Sequence, residues 1–224
     1  MSRVARGRLV VFEGGEGAGK STQLRRLSAA LTAAGVAHQV FREPGGTAAG
    51  DRIRELLLHS AEPLDPRTEA ALFMASRAQL VAEKVKPALE RGEQVLLDRF
   101  LLSSYAYQAK GRDLPIREVA RANDLATDGL VPDLTILLTI DPLEGLIRVK
   151  SRGSADRIEG ADEDFHRRVA KAFKRFAESD WQEKHAECGP IEAVDAVGSE
   201  EDVEARVQRV LAARLPEVLA AGTR

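Results

Sequence analysis

The sequence is poor in cysteine, in net charge and in long apolar runs, and each shortage closes off a class of function. Cys188 is the one cysteine among 224 residues, so no intrachain disulfide forms and no thiolate cluster can hold a metal. A reducing cytoplasm is the expected setting. Lysine and arginine number 33 against 35 aspartates and glutamates, a net charge of −2. Nucleic-acid-binding domains carry a clear basic excess, so no nucleic-acid partner is expected. The longest apolar strings, such as Leu134 to Ile140, are too short to span a bilayer. Met1 to Arg8 holds no apolar core of signal-peptide length, and no membrane partner is expected. His38, His59, His166 and His185 follow no metal-ligand spacing.

What is present is the alternation of an α/β protein. Hydrophobic residues make up 44 %, enough to bury a core. Short apolar runs alternate with longer helical patterns, the signature of βαβ units around a parallel sheet. Strands are expected at Arg8 to Glu13, His38 to Arg42, Gln94 to Asp98, Leu134 to Ile140 and Ile191 to Ala196. Helices are expected from Lys20 to Ala34, from the turn at Glu43 to Thr47 through Leu58, from Pro66 to Gly92, and from Glu200 to Leu219. Pro87 should bend the third of these near its end. Along it Ala71, Met74, Ala78, Val81 and Val85 repeat at intervals of three and four, a face expected against the sheet. One domain over residues 1–224 is expected, with residues 1–7 as a disordered tail.

Gly14-Gly15-Glu16-Gly17-Ala18-Gly19-Lys20-Ser21 follows an expected strand and opens an expected helix, the full G-x-x-x-x-G-K-[ST] pattern in its required setting. Glycines let successive N–H groups turn inward onto phosphate oxygens, and the helix start adds its positive end. Lys20 can reach the β- and γ-phosphates of ATP, and the Ser21 hydroxyl can ligate Mg²⁺. Thr22 completes the expected ATP contacts. Asp98, ending the run Val95-Leu96-Leu97, is the expected second metal-side group, since a parallel sheet releases its strand ends on one side. The fold expected is thus a three-layer P-loop NTPase fold with a five-stranded parallel sheet. A helix-capping turn and a strand-end cap are the structural alternatives. No Asn-Lys-x-Asp occurs to read guanine.

FEGGEGAGKSTQ (Phe12 to Gln23), REPGGT (Arg42 to Thr47), DRFLLSSYAYQ (Asp98 to Gln108) and RGSADRIE (Arg152 to Glu159) occur in this order. With PDLTILLTIDP and the closing EAVDA, they make the chain resemble the thymidylate kinases. The resemblance runs from about Leu9 to the last strand. REPGGT with DRF…SSYAYQ carries its specificity, because the phosphate loop is shared by many enzymes.

The resemblance implies phosphoryl transfer from ATP to dTMP, a homodimer, and a short lid over residues 151–160. It also implies roles. Phe73 would stack on the acceptor base, a contact worth roughly 1 kcal/mol, and Arg77, four residues on, would read thymine O4. Arg54 would grip the acceptor phosphate, and Arg99 would stand between acceptor and donor phosphates, where cations offset repulsion. Glu43, Ser104 and Gln108 would add polar contacts, and Tyr107 would pack on the sugar where a ribose hydroxyl would clash. Glu16 would orient an arginine or the sugar. Position 17 carries a basic catalytic residue in some members but is glycine here, so the cation would come from lid residues Arg152 or Arg157, with Arg148 one turn earlier. Read without the family, Phe73 would be core and Arg77, Arg152 and Arg157 solvated charge.

The chain departs from common family usage at Thr139, Leu102, Phe100 and Ala48-Ala49-Gly50. Two other functions stay open. A related kinase would prefer dUMP, dCMP or UMP, and a thymine methyl worth about 1–3 kcal/mol makes dUMP an expected secondary substrate. A non-catalytic nucleotide sensor would bind ATP and phosphorylate nothing.

Overall fold

The structure is a computed structural model that describes residues 5–60, 62–150 and 156–220. Its centre is a sheet of five parallel strands, β1 (Leu9–Gly14), β2 (His38–Arg42), β3 (Gln94–Asp98), β4 (Leu134–Thr139) and β5 (Ile191–Asp195), in the order β2-β3-β1-β4-β5. Every residue of β1 is buried, as a strand covered on both faces must be. Its side chains alternate between the two faces. Leu9 and Val11 enter one core, with Leu97, Leu57 and Phe100, while Val10 and Phe12 enter the other, with Leu96, Leu27 and Val207.

Helices α1 (Lys20–Ala33) and α10 (Glu200–Arg214) pack together on the second core. The first core is covered by α2 (Ala48–His59), α3 (Pro66–Leu80), α4 (Lys86–Glu90), α5 (Leu101–Ser104), α6 (Ile116–Thr127), α8 (Glu163–Phe176) and α9 (Ser179–Lys184). The segment α7 (Pro142–Lys150) follows β4. This is the three-layer arrangement expected. Starts are capped where the sequence provides an oxygen: Thr47 accepts from the Gly50 N–H, Asp65 from Arg67, and Ser199 and Asp202 form a capping box.

The long helix departs from expectation. It is interrupted by a π-helical turn, Val81–Val85, and ends at Glu90. Pro87 lacks an N–H and crowds the carbonyl four residues back, and the wider turn lies there. The apolar stripe is also divided. Val81 and Val85 are buried, but Ala71 is exposed and Ala78 half-buried. Both line an open apolar groove with Met74 of α3 and Leu114, Val119 and Leu125 at or on α6. The stripe therefore meets the core at Met74, Val81 and Val85, while Ala71 opens to the groove. The final helix stops at Arg214 rather than Leu219 because Pro216 disfavours helical backbone at Leu215, and a short 3₁₀ turn, Pro216–Val218, follows. Within the expected tail, Arg6 pairs with Asp133 at 3.0 Å and the Gly7 N–H donates to the Leu89 carbonyl at 2.8 Å.

Candidate active site

Strands β1 and β3 are neighbours, with Phe12 opposite Asp98, so the phosphate loop and the Asp98–Arg99 corner leave the sheet together. The loop turns through left-handed backbone at Gly17 (φ 70°) and Gly19 (φ 88°), which side chains rarely tolerate. Gly17 also lies against Gly145 of α7: a Cβ at Gly17 would meet the Gly145 oxygen at 2.1 Å, and one at Gly145 would meet the Glu16 oxygen at 2.4 Å. A side chain at position 17 has no space. Lys20 is buried and curls onto its own loop, donating to the carbonyls of Gly14 (3.0 Å) and Gly15 (2.8 Å). Burial first, and then the Arg99 charge, lowers its ammonium to about 8. Ser21 Oγ donates to Asp98 Oδ2 at 2.8 Å.

Past Asp98 the chain makes a strained corner. Arg99 has φ 69°, a left-handed conformation that costs a non-glycine residue about 1–3 kcal/mol. The corner is held by Glu13, fully buried at the end of β1, whose carboxylate accepts from the Phe100 N–H (2.7 Å), the Ser103 N–H (3.0 Å) and the Ser103 hydroxyl (2.8 Å). Arg99 then donates to Glu16 Oε1 at 2.7 Å, and the Tyr107 hydroxyl donates to the same oxygen at 2.6 Å. Burial alone would raise the Glu16 carboxyl, but Arg99, Lys20 and the Tyr107 hydroxyl override it and hold it at about 2.

A cavity of about 370 Å³ opens from the phosphate loop. At one end lie Glu16, Gly17, Gly19, Lys20, Ser21 and Thr22, with Asp98 and Arg99 beside them. At the other end lie Phe73, Arg77, Ser104, Tyr107, Gln108 and Glu43. Arg54 and Arg42 stand at its wall. The Arg54 guanidinium is pushed down by its burial and then by the Arg42 and Arg99 charges, so three cations converge on one stretch of the cavity. Such a cluster is a ready cradle for phosphate.

Phe73 and Arg77 share one face of α3, as four-residue spacing requires. Phe73 is half-buried along the cavity, while Arg77 is 1 % exposed. All three nitrogens of Arg77 are engaged: Nε donates to Glu43 Oε2 (2.8 Å), an oxygen that also ion-pairs with Nη2 (2.6 Å), Nη2 donates to the Phe100 carbonyl (2.8 Å), and Nη1 donates to Ser104 Oγ (2.8 Å) and Asn123 Oδ1 (2.5 Å). The Phe100 ring lies under the guanidinium at 5.1 Å, so an apolar ring at this position stacks where a polar tip would be buried. Burial pushes the Glu43 carboxyl up, against the pull of Arg77. Its Oε1, buried beside the cavity, has no partner among the described residues.

Two lid groups, Arg152 and Arg157, are expected at the cavity. Arg152 is outside the described residues. Arg157 is not on the cavity wall. It donates through Nε to the Leu57 carbonyl (2.7 Å) and through Nη2 to Glu69 (2.8 Å), while its backbone N–H donates to Leu58 (3.0 Å). Gly14, Gly15 and Ala18 form the back of the loop, off the wall. Arg42, Pro44, Leu58, Ser103, Asp156, Ile158 and Glu159 also line the cavity, although no single-residue signal in the sequence marks them. REPGGT contains the first two, and RGSADRIE the last three.

A cavity with a phosphate loop at one end and a second arginine cradle before a flat slot receives two phosphorylated molecules end to end, as in a P-loop nucleotide kinase. The family profile for thymidylate kinase matches residues 12–196. The chain is 46 % identical over 211 residues to a thymidylate kinase of Deinococcus radiodurans, covering 94 % of this chain and 99 % of that protein. It is also 46 % identical to a thymidylate kinase of Bifidobacterium longum over 206 residues (90 % and 96 %), and 44 % identical to one of Carboxydothermus hydrogenoformans over 172 (77 % and 85 %). The chain belongs to the thymidylate kinase family and is a nucleoside monophosphate kinase.

Proposed function

We propose that the enzyme moves the terminal phosphoryl group of ATP onto dTMP, giving ADP and dTDP, one phosphorylation short of dTTP. The observation that carries this reading is the pair of cationic cradles, Lys20 with the loop amides and Arg42 with Arg54 and Arg99, facing one cavity. The bond from the γ-phosphorus to its bridging oxygen breaks as one to a dTMP phosphate oxygen forms. A phosphate monoester is already a nucleophile at neutral pH, so positioning and charge neutralisation carry the rate. Lys20 and the loop amides from Gly17 to Thr22 that face the cavity hold the donor, Arg54 and Arg99 the acceptor phosphate. Phe73, Arg77, Ser104, Tyr107, Gln108 and Glu43 form the slot for base and sugar.

The Ser21 hydroxyl and Asp98 carboxylate, 2.8 Å apart, are hard oxygen donors that fit Mg²⁺, an ion that keeps waters and substrate phosphates for its remaining positions. When bound there it supplies charge to the donor phosphates. Arg152 of the lid, or Arg157 once released from Glu69, supplies the last cation, and lid closure excludes water. A homodimer is supported by the groove between α3 and α6, lined by Ala70, Ala71, Ala75 and Ala78 with Leu125 84 % exposed at its rim, a surface for a second copy of this chain. Among the described residues no helix is long and apolar enough to cross a membrane, and with one cysteine a cytoplasmic location fits.

The test is ADP release from ATP and Mg²⁺ with dTMP, dUMP, dCMP, UMP and GMP offered separately. Strong turnover with dTMP and weaker turnover with dUMP is the expected result. Preference for another nucleotide would remove the slot assignment, and ATP binding without turnover of any acceptor would leave a sensor.

A further inference from the structure

Glu69 is an acid in the first turn of α3, 1 % exposed, that belongs to neither cradle. Its Oε1 accepts from Gln108 Nε2 at 3.3 Å and Arg112 Nε at 3.2 Å, and its Oε2 from Arg112 Nη2 at 3.0 Å and Arg157 Nη2 at 2.8 Å. One carboxylate thus joins three segments. Glu69 shares the face of α3 that carries Phe73. Gln108 lies in the π-helical turn Tyr105–Gly111 that also carries Tyr107. Arg157 anchors the stretch whose neighbours Asp156, Ile158 and Glu159 line the cavity.

A carboxylate of this kind accepts hydrogen bonds and donates none, whereas an amide side chain has one end of each type. Beside Glu69, Gln108 must turn its NH₂ toward the acid, and its Oε1 is what remains for the cavity it lines. The slot then offers a pyrimidine two unlike groups, donors from Arg77 and an acceptor from Gln108. Thymine and uracil match that pattern through O4 and N3–H. Cytosine has its amino group and bare N3 in those places and mismatches both.

We propose that Glu69 is a specificity-determining positioning residue: it fixes the Gln108 amide so that an acceptor faces the base, and the same carboxylate ties that choice to the lid flank through Arg157. The proposal rests on the dTMP reading above. It goes further by assigning the rejection of cytosine to a residue that touches no substrate.

The test is the ratio of kcat/KM for dTMP to that for dCMP in the full chain, in wild type, Glu69→Gln, Gln108→Ala and the double variant. With Glu69→Gln the amide at 108 can reverse, and the ratio is expected to fall about tenfold, as loss of one well-placed hydrogen bond allows, with KM for ATP unchanged. In the Gln108→Ala background the same change should leave the ratio where it stands. An unchanged ratio in Glu69→Gln, or an equal fall whether or not Gln108 is present, overturns the proposal. If Glu69→Gln does not fold, Glu69→Asp keeps the charge between the arginines but draws the acid back from Gln108, and the same ratio decides. The wild-type preference tests the dTMP reading separately, since the proposal concerns the change in the ratio.

Discussion

Arg99 and Glu16 are joined at 2.7 Å across the gap between the β3 corner and the phosphate loop. The acid does not repel phosphate from the loop, because its charge is already taken by Arg99 and, on the same oxygen, by the Tyr107 hydroxyl at 2.6 Å. Replacing it by Gln removes the charge from this tether and leaves Arg99 with the weaker contacts to Ser103 Oγ (3.2 Å) and the Gly14 carbonyl (3.4 Å). Glu16→Gln is expected to lower kcat about 10–100-fold, the scale of misplacing a catalytic group, with a smaller change in KM for ATP. Steady-state kinetics decide, and an unchanged kcat would show that Arg99 needs no such tether.

Glu13 answers a different question, that of stability. Its three hydrogen bonds hold the left-handed corner at Arg99. Glu13→Ala strands the buried Phe100 N–H and the part-buried Ser103 N–H and is expected to destabilise the fold by about 2–4 kcal/mol. Urea unfolding measures it directly. A loss below about 0.5 kcal/mol, the usual range for an ordinary surface position, would contradict the role.

Lys20 should impose an alkaline limit. Its ammonium is held at about 8 in the free protein, below the ordinary lysine range, so it is charged below that pH and neutral above. Phosphate binding needs the charge. The kcat/KM for ATP is therefore expected to be flat below about pH 8 and to fall above it, by up to about tenfold per pH unit for one proton. Because arginine stays protonated, Lys20→Arg should remove that limb even where it lowers the plateau.

The Gly17–Gly145 contact predicts a remote lesion. Gly145→Val would put its Cβ 2.4 Å from the Glu16 carbonyl oxygen, and should displace the loop. KM for ATP is expected to rise about tenfold or more while KM for dTMP changes little, on the scale of overpacking at about 1–3 kcal/mol. An unaltered KM for ATP would mean that α7 yields instead.

The dimer proposal has a direct test at Leu125, the exposed rim of the α3–α6 groove. Leu125→Glu places a charge where an apolar surface would be buried. Light scattering should give twice the chain mass for wild type and a shift toward one chain mass for the variant. A monomeric wild type would reject a second copy as the occupant.

How much of this is legible in the sequence depends on how local each signal is. The phosphate loop lies within eight consecutive positions, Gly14 to Ser21, and its backbone follows from that string, although its contact with Gly145 does not. Strand β3, with Asp98 at its end, is equally plain because a buried parallel strand is a continuous apolar run. Periodicity on α3 reveals an apolar face but not what covers it, and Ala71 and Ala78 open to a groove instead of the sheet. Glu13, Glu69 and Asn123 leave no signal at all: their partners stand 39 to 90 positions away and meet them only in the folded chain. The π-helical turn at Tyr105–Gly111 leaves no signal either, since no proline or glycine pair marks its start, whereas the one at Val81–Val85 stands beside Pro87.

At the slot, all three nitrogens of Arg77 are already engaged by Glu43, Phe100, Ser104 and Asn123. Under the proposed reading, a pyrimidine carbonyl arriving at Nη1 would be bound in trade for a partner the guanidinium gives up, such as the Ser104 hydroxyl. The net count of hydrogen bonds hardly changes on such a swap, so the correct base gains little affinity from it. A wrong base, unable to take over the surrendered bond, leaves a buried donor bare, at about 1–3 kcal/mol. If Arg77 reads the base as proposed, its discrimination would come from the penalty on misfits and not from the reward for a match, and a weakly held acceptor could be a strictly chosen one.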